Sequence, residues 1–94
     1  MGKELSDGAV LTKADHVLET VVDSATILLS TKTGKYVTFN ESSGAIWSLI
    51  NGERTLAAIV TQLVERFDVE ADRCKSEVHT IVANMLDESL VELD

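Results

Sequence analysis

Several residue types that mark particular classes of protein are missing or scarce in this chain of 94 residues. Proline is absent and no low-complexity segment occurs, so nothing marks a linker between domains. The single cysteine, Cys74, cannot form an internal disulfide and gives no sign of an oxidising compartment. No apolar run approaches the roughly 20 residues that span a bilayer. We therefore expect one cytoplasmic domain over residues 1–94.

Basic residues are also few. Eight Lys and Arg stand against 16 Asp and Glu, which gives a formal net charge of −8. This charge disfavours binding to nucleic-acid phosphates and to anionic membranes, whereas a partner with basic residues would be attracted. The same charge also suits a small domain that only has to stay soluble.

Residues that carry catalysis are scarce as well. Cys74 and His79 are the only Cys–His pair close in sequence, and five helical residues would place them about 140° apart around the axis. No spacing of Cys and His resembles a zinc site, and no glycine-rich phosphate loop occurs. We expect no enzyme activity, no cofactor and no bound metal.

Three strands are indicated in the first half of the chain. Val17–Val22, Ala25–Ser30 and Tyr36–Asn40 are rich in β-branched and aromatic residues. Asp23 and Ser24 provide a tight turn between the first two, and Gly34 can take the positive φ that the second turn needs. Consecutive strands joined by short turns form an antiparallel meander.

Three helices are indicated in the second half. The first follows Asn40 or Ser42 as N-cap, the second follows Thr55, and the third covers about Ala71–Glu88. Each shows one apolar stripe at helical spacing. The stripes are Ile46, Leu49 and Ile50; Leu56, Ile59, Val60, Leu63, Val64 and Phe67; and Cys74, Val78, Ile81, Val82, Met85 and Leu86.

The order of these elements predicts an α+β domain resembling a winged helix-turn-helix, with a three-stranded antiparallel sheet followed by three helices. Residues 1–8 are expected to form a loose terminus. Ala9–Lys13 gives a weak signal for an additional strand, and the apolar residues of 90–93 are expected to pack back against the strands.

The third strand offers a candidate binding edge, because an open sheet edge presents unpaired backbone groups to an extended peptide. Along it, Val37 and Phe39 point to one side, and Tyr36 and Thr38 to the other. The third helix could form the second wall of a groove. The predicted peptide-binding residues are Lys35, Tyr36, Val37, Thr38, Phe39, Asn40, Glu77, Val78, Ile81 and Met85.

A winged-helix DNA-binding regulator is the alternative function. The third helix would then be the recognition helix, with Arg73 and Lys75 near its start. Acidic residues surround both, whereas a DNA-binding domain concentrates Lys and Arg on one face. The charge pattern therefore favours a peptide as the partner.

A series of short motifs in this sequence resembles the pattern of the PqqD-like family. Members of this family are the recognition elements for precursors of ribosomally synthesised and post-translationally modified peptides (RiPPs). The resemblance covers about residues 17–93 and rests on the order and spacing of the whole set. The motifs are Thr33-Gly34-Lys35-Tyr36, Phe39-Asn40, Ile46-Trp47-Ser48-Leu49-Ile50, Gly52, Thr55, Ile59, Leu63, Phe67-Asp68-Val69, Glu77-Val78, Leu86 and Leu90-Val91.

This resemblance implies a non-catalytic protein that binds the leader segment of a precursor peptide. The leader would add as a strand to the third strand of the meander, in the groove beside the third helix. The length of the chain is most similar to that of the standalone recognition protein of lasso peptide biosynthesis. That protein delivers the leader to a cysteine-protease leader peptidase, and the resemblance implies the same partner here. Another maturation enzyme is the alternative partner. Glu77 stands where the family often has Asp. The sequence is compatible both with a monomer and with an edge-paired dimer.

The first prediction concerns Tyr36, whose ring is expected to face outward from the edge strand. Tyr36→Ala should weaken leader binding without unfolding the domain, because it removes an aromatic contact and no core volume. Isothermal titration with the leader peptide, alongside a urea denaturation curve, checks both parts. An unchanged affinity would argue against this edge.

Overall fold

The computed structural model describes residues 5–93. These residues form five strands and three helices, which we number in chain order. The strands are β1 (Leu11–Lys13), β2 (Val17–Val22), β3 (Ala25–Ser30), β4 (Tyr36–Phe39) and β5 (Val91–Leu93). The helices are α1 (Glu41–Leu49), α2 (Leu56–Phe67) and α3 (Ala71–Asp87).

The predicted meander is confirmed as a three-stranded antiparallel sheet in the order β2-β3-β4. Asp23 and Ser24 both take positive φ, 50° and 69°, as a two-residue hairpin turn that matches the twist of its strands requires. β4 ends one residue earlier than predicted because the Asn40 side chain turns to accept from Ser43 N–H over 2.8 Å. Asn40 is thereby the N-cap of α1.

The three predicted helices are present with small changes at their ends. Thr55 caps α2 through its hydroxyl, which accepts from Ala58 N–H over 3.1 Å, as expected. At the other end of α2, Phe67 is 37% exposed, so the predicted apolar stripe leaves the core there. Helix α3 ends at Asp87, one residue before the predicted boundary.

A second, two-stranded sheet joins the ends of the described chain. Strand β1 pairs antiparallel with β5, with Leu11 opposite Leu93. The weak signal over Ala9–Lys13 therefore corresponds to a shorter strand, and the apolar C-terminal residues do return to a strand. The pairing partner itself was not predicted, because strands from opposite ends of a sequence carry no local signal for one another.

A loose terminus was expected over residues 1–8, but the structure holds part of this segment against the helices. Residues 1–4 lie outside the described residues. Further along, the Asp7 carbonyl accepts from Ala57 N–H over 3.0 Å, and the Asp7 carboxylate lies 3.2 Å from Lys75 Nζ. Residues 6–8 are therefore attached to α2 and α3.

The helices cover one face of the sheet and enclose a single core. Its largest fully buried side chains are Trp47, Leu11, Leu28, Leu56, Ile59, Met85, Val78 and Val82. Within residues 5–93, no helix combines the length and apolar character needed to cross a membrane.

The second prediction uses Leu63, which is 5% exposed in the middle of α2. Leu63→Ala should lower the free energy of unfolding by about 2–5 kcal/mol, because it leaves a cavity in the core. Val69, which is 43% exposed, supplies the control. Val69→Ala should change the free energy of unfolding by less than about 0.5 kcal/mol. Urea denaturation followed by tryptophan fluorescence measures both, and equal losses would contradict the placement of α2.

Candidate functional site

Strand β4 is an edge strand, because β3 is its only partner among the described residues. Ser30 N–H donates to the Lys35 carbonyl over 3.0 Å, so these two residues form a hydrogen-bonded pair. Hydrogen-bonded and non-hydrogen-bonded pairs alternate along an antiparallel ladder. The backbone N–H and C=O groups of Tyr36 and Thr38 therefore point away from β3, toward the open side.

Both ends of this edge are held in place. At its start, Gly34 has φ of 73° and its N–H donates to the Ser30 carbonyl over 2.7 Å. The Ser30 hydroxyl accepts from Thr33 N–H over 3.3 Å inside the same turn. At its end, Asn40 is fixed as the cap of α1. A strand held at both ends loses little conformational entropy when a partner pairs with it.

A groove runs between β4 and the C-terminal half of α3. It contains a cavity of about 130 Å³ with an apolar floor and a polar rim. The floor is formed by Val37, Phe39, Ile81, Met85 and Leu90, and the rim by Ser43, Asn84 and Glu88. We call this the β4–α3 groove.

The groove continues toward the β3–β4 turn as a second cavity of about 200 Å³. The two cavities share Val37, Glu88 and Leu90. Lys32 and Lys35 line the second cavity on the turn side, facing a wall that includes Asp87. One continuous surface of apolar floor and mixed charge therefore follows β4 from Phe39 back to the turn.

The structure brings five of the predicted site residues to this surface. Val37 and Phe39 contribute their inward side chains, and Ile81 and Met85 approach from α3. Lys35 lines the second cavity. These residues come from two elements that are distant in sequence, so their proximity depends on how α3 packs against the sheet.

Three further predicted residues contribute in other ways. Tyr36 is 72% exposed and lies with Thr38 on the face of the sheet opposite the helices. Both offer the open edge their backbone groups, and their side chains stay outside the groove. Asn40 acts as a helix cap.

Two predicted residues lie outside the groove. Val78 is 1% exposed within the core and lines neither cavity of the β4–α3 groove. Glu77 forms an ion pair with Arg73, with 3.4 Å between Oε1 and Nε, and lines a separate cleft beside Val69. The groove is therefore lined by the C-terminal half of α3.

The sequence reasoning missed Asn84 and Glu88, which form much of the groove's rim on α3. Together with Ile81 and Met85 they follow the i, i+3, i+4, i+7 spacing of one helix face. This spacing was visible in the sequence. Extending the helix face that contains Ile81 and Met85 toward the end of α3 would have identified Asn84 and Glu88.

Cys74 is not suited to nucleophilic chemistry. Its side chain is buried, and burial, followed by the Glu77 carboxylate, raises the pKa of the Cys74 thiol above its ordinary value. The protonated thiol is a weak nucleophile. Among the described residues, no group of three His, Cys, Asp or Glu side chains is arranged to hold a metal ion.

A larger cavity, of about 450 Å³, opens at the other end of β4. It lies between the Asp23–Ser24 turn, the start of α1 and the end of α2, with Arg66 and Phe67 on one wall. Of these two cavities, the smaller β4–α3 groove is the stronger candidate site, because it lies along the open backbone edge of β4.

Several solved structures share this fold. TbiB1, solved in complex with the TbiA(beta) leader peptide, matches with a TM-score of 0.80 and 21% identity, over 86% of this chain and 94% of its own. A lasso peptide synthetase B1 complexed with the leader peptide matches with a TM-score of 0.79 and 15% identity, over 87% of this chain and 96% of its own.

A third structure is the PqqD truncation of Methylobacterium extorquens PqqCD, described as a functional and stand-alone RiPP recognition element. It matches with a TM-score of 0.79 and 15% identity, over 95% of both chains. At such low identities these three likenesses establish a shared fold.

Comparison with the sequences of curated proteins finds no significant match. The sequence model of the PqqD family, described as coenzyme PQQ synthesis protein D, matches residues 25–91. This match extends from the first residue of β3 to the first residue of β5 and covers more than half of the chain. The chain therefore belongs to the PqqD family.

Proposed function

We propose that this protein binds the leader segment of a ribosomally synthesised precursor peptide as an additional strand on β4. The observation that carries the proposal is the open backbone edge at Tyr36 and Thr38 beside the apolar floor of the β4–α3 groove. Membership of the PqqD family and the likeness to two proteins solved with leader peptides support it.

Strand addition would divide recognition between backbone and side chains. The open edge supplies hydrogen bonds that any extended peptide can make, provided that its register is correct. Alternate side chains of the peptide then point into the groove, toward Ile81 and Met85. The apolar floor of the groove favours peptides with apolar residues at these positions. The intervening side chains lie beside Tyr36 on the outer face of the sheet.

The protein would act by affinity alone. Binding concentrates the leader for a separate enzyme, and a raised local concentration increases turnover without any chemistry by the binding domain. In lasso peptide biosynthesis this enzyme would be a cysteine-protease leader peptidase, and another maturation enzyme is the alternative. Because a flexible leader loses entropy when it becomes ordered, we expect moderate affinity.

DNA binding, the alternative considered from the sequence, receives no support. The Arg73 guanidinium on α3 is paired with Glu77, and Lys75 lies 3.2 Å from the Asp7 carboxylate. Phosphate contacts would have to compete with both ion pairs on a chain whose formal charge is −8.

An amide NMR titration tests the proposal directly. The ¹⁵N-labelled protein is titrated with the leader peptide of the precursor encoded beside its gene. Shifts should concentrate on residues 35–40 and 81–88, because these line the edge and the groove. Shifts confined to other surfaces, or none at millimolar peptide, would contradict strand addition to β4.

The third prediction removes one donor from the open edge. Thr38→Pro deletes an N–H that points away from β3, and proline is tolerated on an edge strand in that position. We expect leader affinity to fall about tenfold, since one lost hydrogen bond contributes about 0.5–1.5 kcal/mol and the proline ring adds steric conflict. Thr38→Val keeps the N–H and the β-branched shape, so it should bind normally in the same calorimetric titration. Equal affinities for the two folded variants would contradict backbone pairing.

The fourth prediction tests the side-chain wall of the groove. Ile81→Asp places a charge on the apolar floor and should weaken leader binding by at least about tenfold, or about 1.4 kcal/mol. Thr80→Asp adds the same charge to an exposed position one residue away, outside the groove lining. Fluorescence anisotropy with a labelled leader should separate the two variants, and a similar loss in both would indicate a general charge effect.

A further inference from the structure

The sheet has a second open edge, on β2. Among the described residues, β2 pairs only with β3. Thr31 N–H donates to the His16 carbonyl over 2.8 Å, which sets the alternation of the β2–β3 ladder. The backbone groups of Glu19 and Val21 therefore point away from β3. This edge plays no part in the proposed leader site, which lies on the opposite side of the sheet.

Strand β2 lacks the features that usually protect a sheet edge. Such edges are typically short, or carry Lys, Pro, a bulge or an inward-pointing charge that opposes pairing with another chain. β2 is six residues long with a regular register, and Leu18, Val21 and Val22 are 58%, 62% and 50% exposed.

Glu19, the only charged residue of β2, does not prevent this edge from pairing with another strand. The carboxylate of Glu19 points to the helix side of the sheet, where it accepts from Trp47 Nε1 over 2.8 Å. Its Oε1 also lies 3.6 Å from Lys13 Nζ. The charge of Glu19 is therefore already compensated within the same protomer, and the edge itself is neutral.

We propose that β2 pairs antiparallel with β2 of a second copy of this chain, about a two-fold axis at Thr20. The backbone groups that point outward belong to Glu19 and Val21, and in this register each Glu19 lies opposite Val21 of the second copy. This register also places Thr20 opposite Thr20 and Leu18 opposite Val22 of the second copy. The two sheets join into one of six strands, through an interface that uses the same residues on both sides.

The sequence of β2 fits this register. Thr–Thr pairs and aliphatic pairs are favourable across neighbouring strands. The alternative two-fold register, centred on Glu19, would place two carboxylates directly opposite each other, which is unfavourable. Self-complementarity about Thr20 is the feature that favours a second copy over an unrelated partner.

The net charge of −8 on each copy opposes association. Since salt screens repulsion between exposed charges over about 8 Å at physiological ionic strength, the dimer should strengthen as salt is added. The β4 edges lie on the outer sides of the joined sheet. Each protomer of the dimer therefore keeps a free groove, and the leader should bind with one peptide per protomer.

Disulfide cross-linking tests the register. In a non-hydrogen-bonded antiparallel pair the Cα atoms are about 4.5 Å apart. This distance lies within the range that a disulfide spans. Thr20→Cys should therefore form a covalent dimer under mild oxidation. In Leu18→Cys the two new thiols are offset by about four residues, or about 13 Å, and should not join. The unmodified chain, whose Cys74 is buried, gives the background.

Sedimentation velocity tests the dimer without any cysteine. The unmodified chain should show a concentration-dependent shift from monomer to dimer, and Thr20→Lys should weaken the dimer by at least about tenfold, because two like charges would face each other. Val69→Lys places the same charge on an exposed residue away from β2 and should dimerise normally.

Two results would overturn the proposal: a monomer at every protein concentration up to the millimolar range, or cross-linking of Leu18→Cys as fast as that of Thr20→Cys. Neither depends on leader binding. A failure here therefore leaves the proposed function of the β4 edge unaffected.

Discussion

The packing of Trp47 against the sheet is the interaction on which the rest of the structure depends. The indole is 1% exposed, and a buried N–H without a partner would be destabilising. Glu19 on β2 supplies that partner, while Lys13 Nζ lies 4.8 Å from the ring centroid. The Phe39 ring packs 5.8 Å away. One side chain of α1 thereby connects β1, β2 and β4.

This arrangement leaves the two edges of the sheet in different surroundings. The helices cover only one face, and α3 lies beside β4, so the β4 edge becomes one wall of a groove with an apolar floor. At the β2 edge, Glu19 is drawn inward to Trp47, and Leu18 and Val22 stay exposed. An open sheet has two edge strands, here β2 and β4, and among the described residues neither pairs with a further strand.

Much of the site could be predicted, because its edge strand and its helix each have a clear local pattern. The alternation in Tyr36–Phe39 correctly places Val37 and Phe39 on one side of the strand and Tyr36 and Thr38 on the other. The position of α3 relative to β4 could not be predicted in this way. Its apolar stripe includes Val78 as well as Ile81, yet Val78 is sealed in the core and only the later turns line the groove.

The sequence by itself determined the elements of this protein: β2, β3 and the helices lie where the strand and helix periodicities predict them, and Asn40 and Thr55 cap helices as their side chains allow. These features depend on interactions within a few residues. The pairing of β1 with β5 and the approach of α3 to β4 were decided only by the tertiary structure. Both join segments that are far apart in sequence, and the free energy that holds them comes from burying a shared core, which no local pattern encodes.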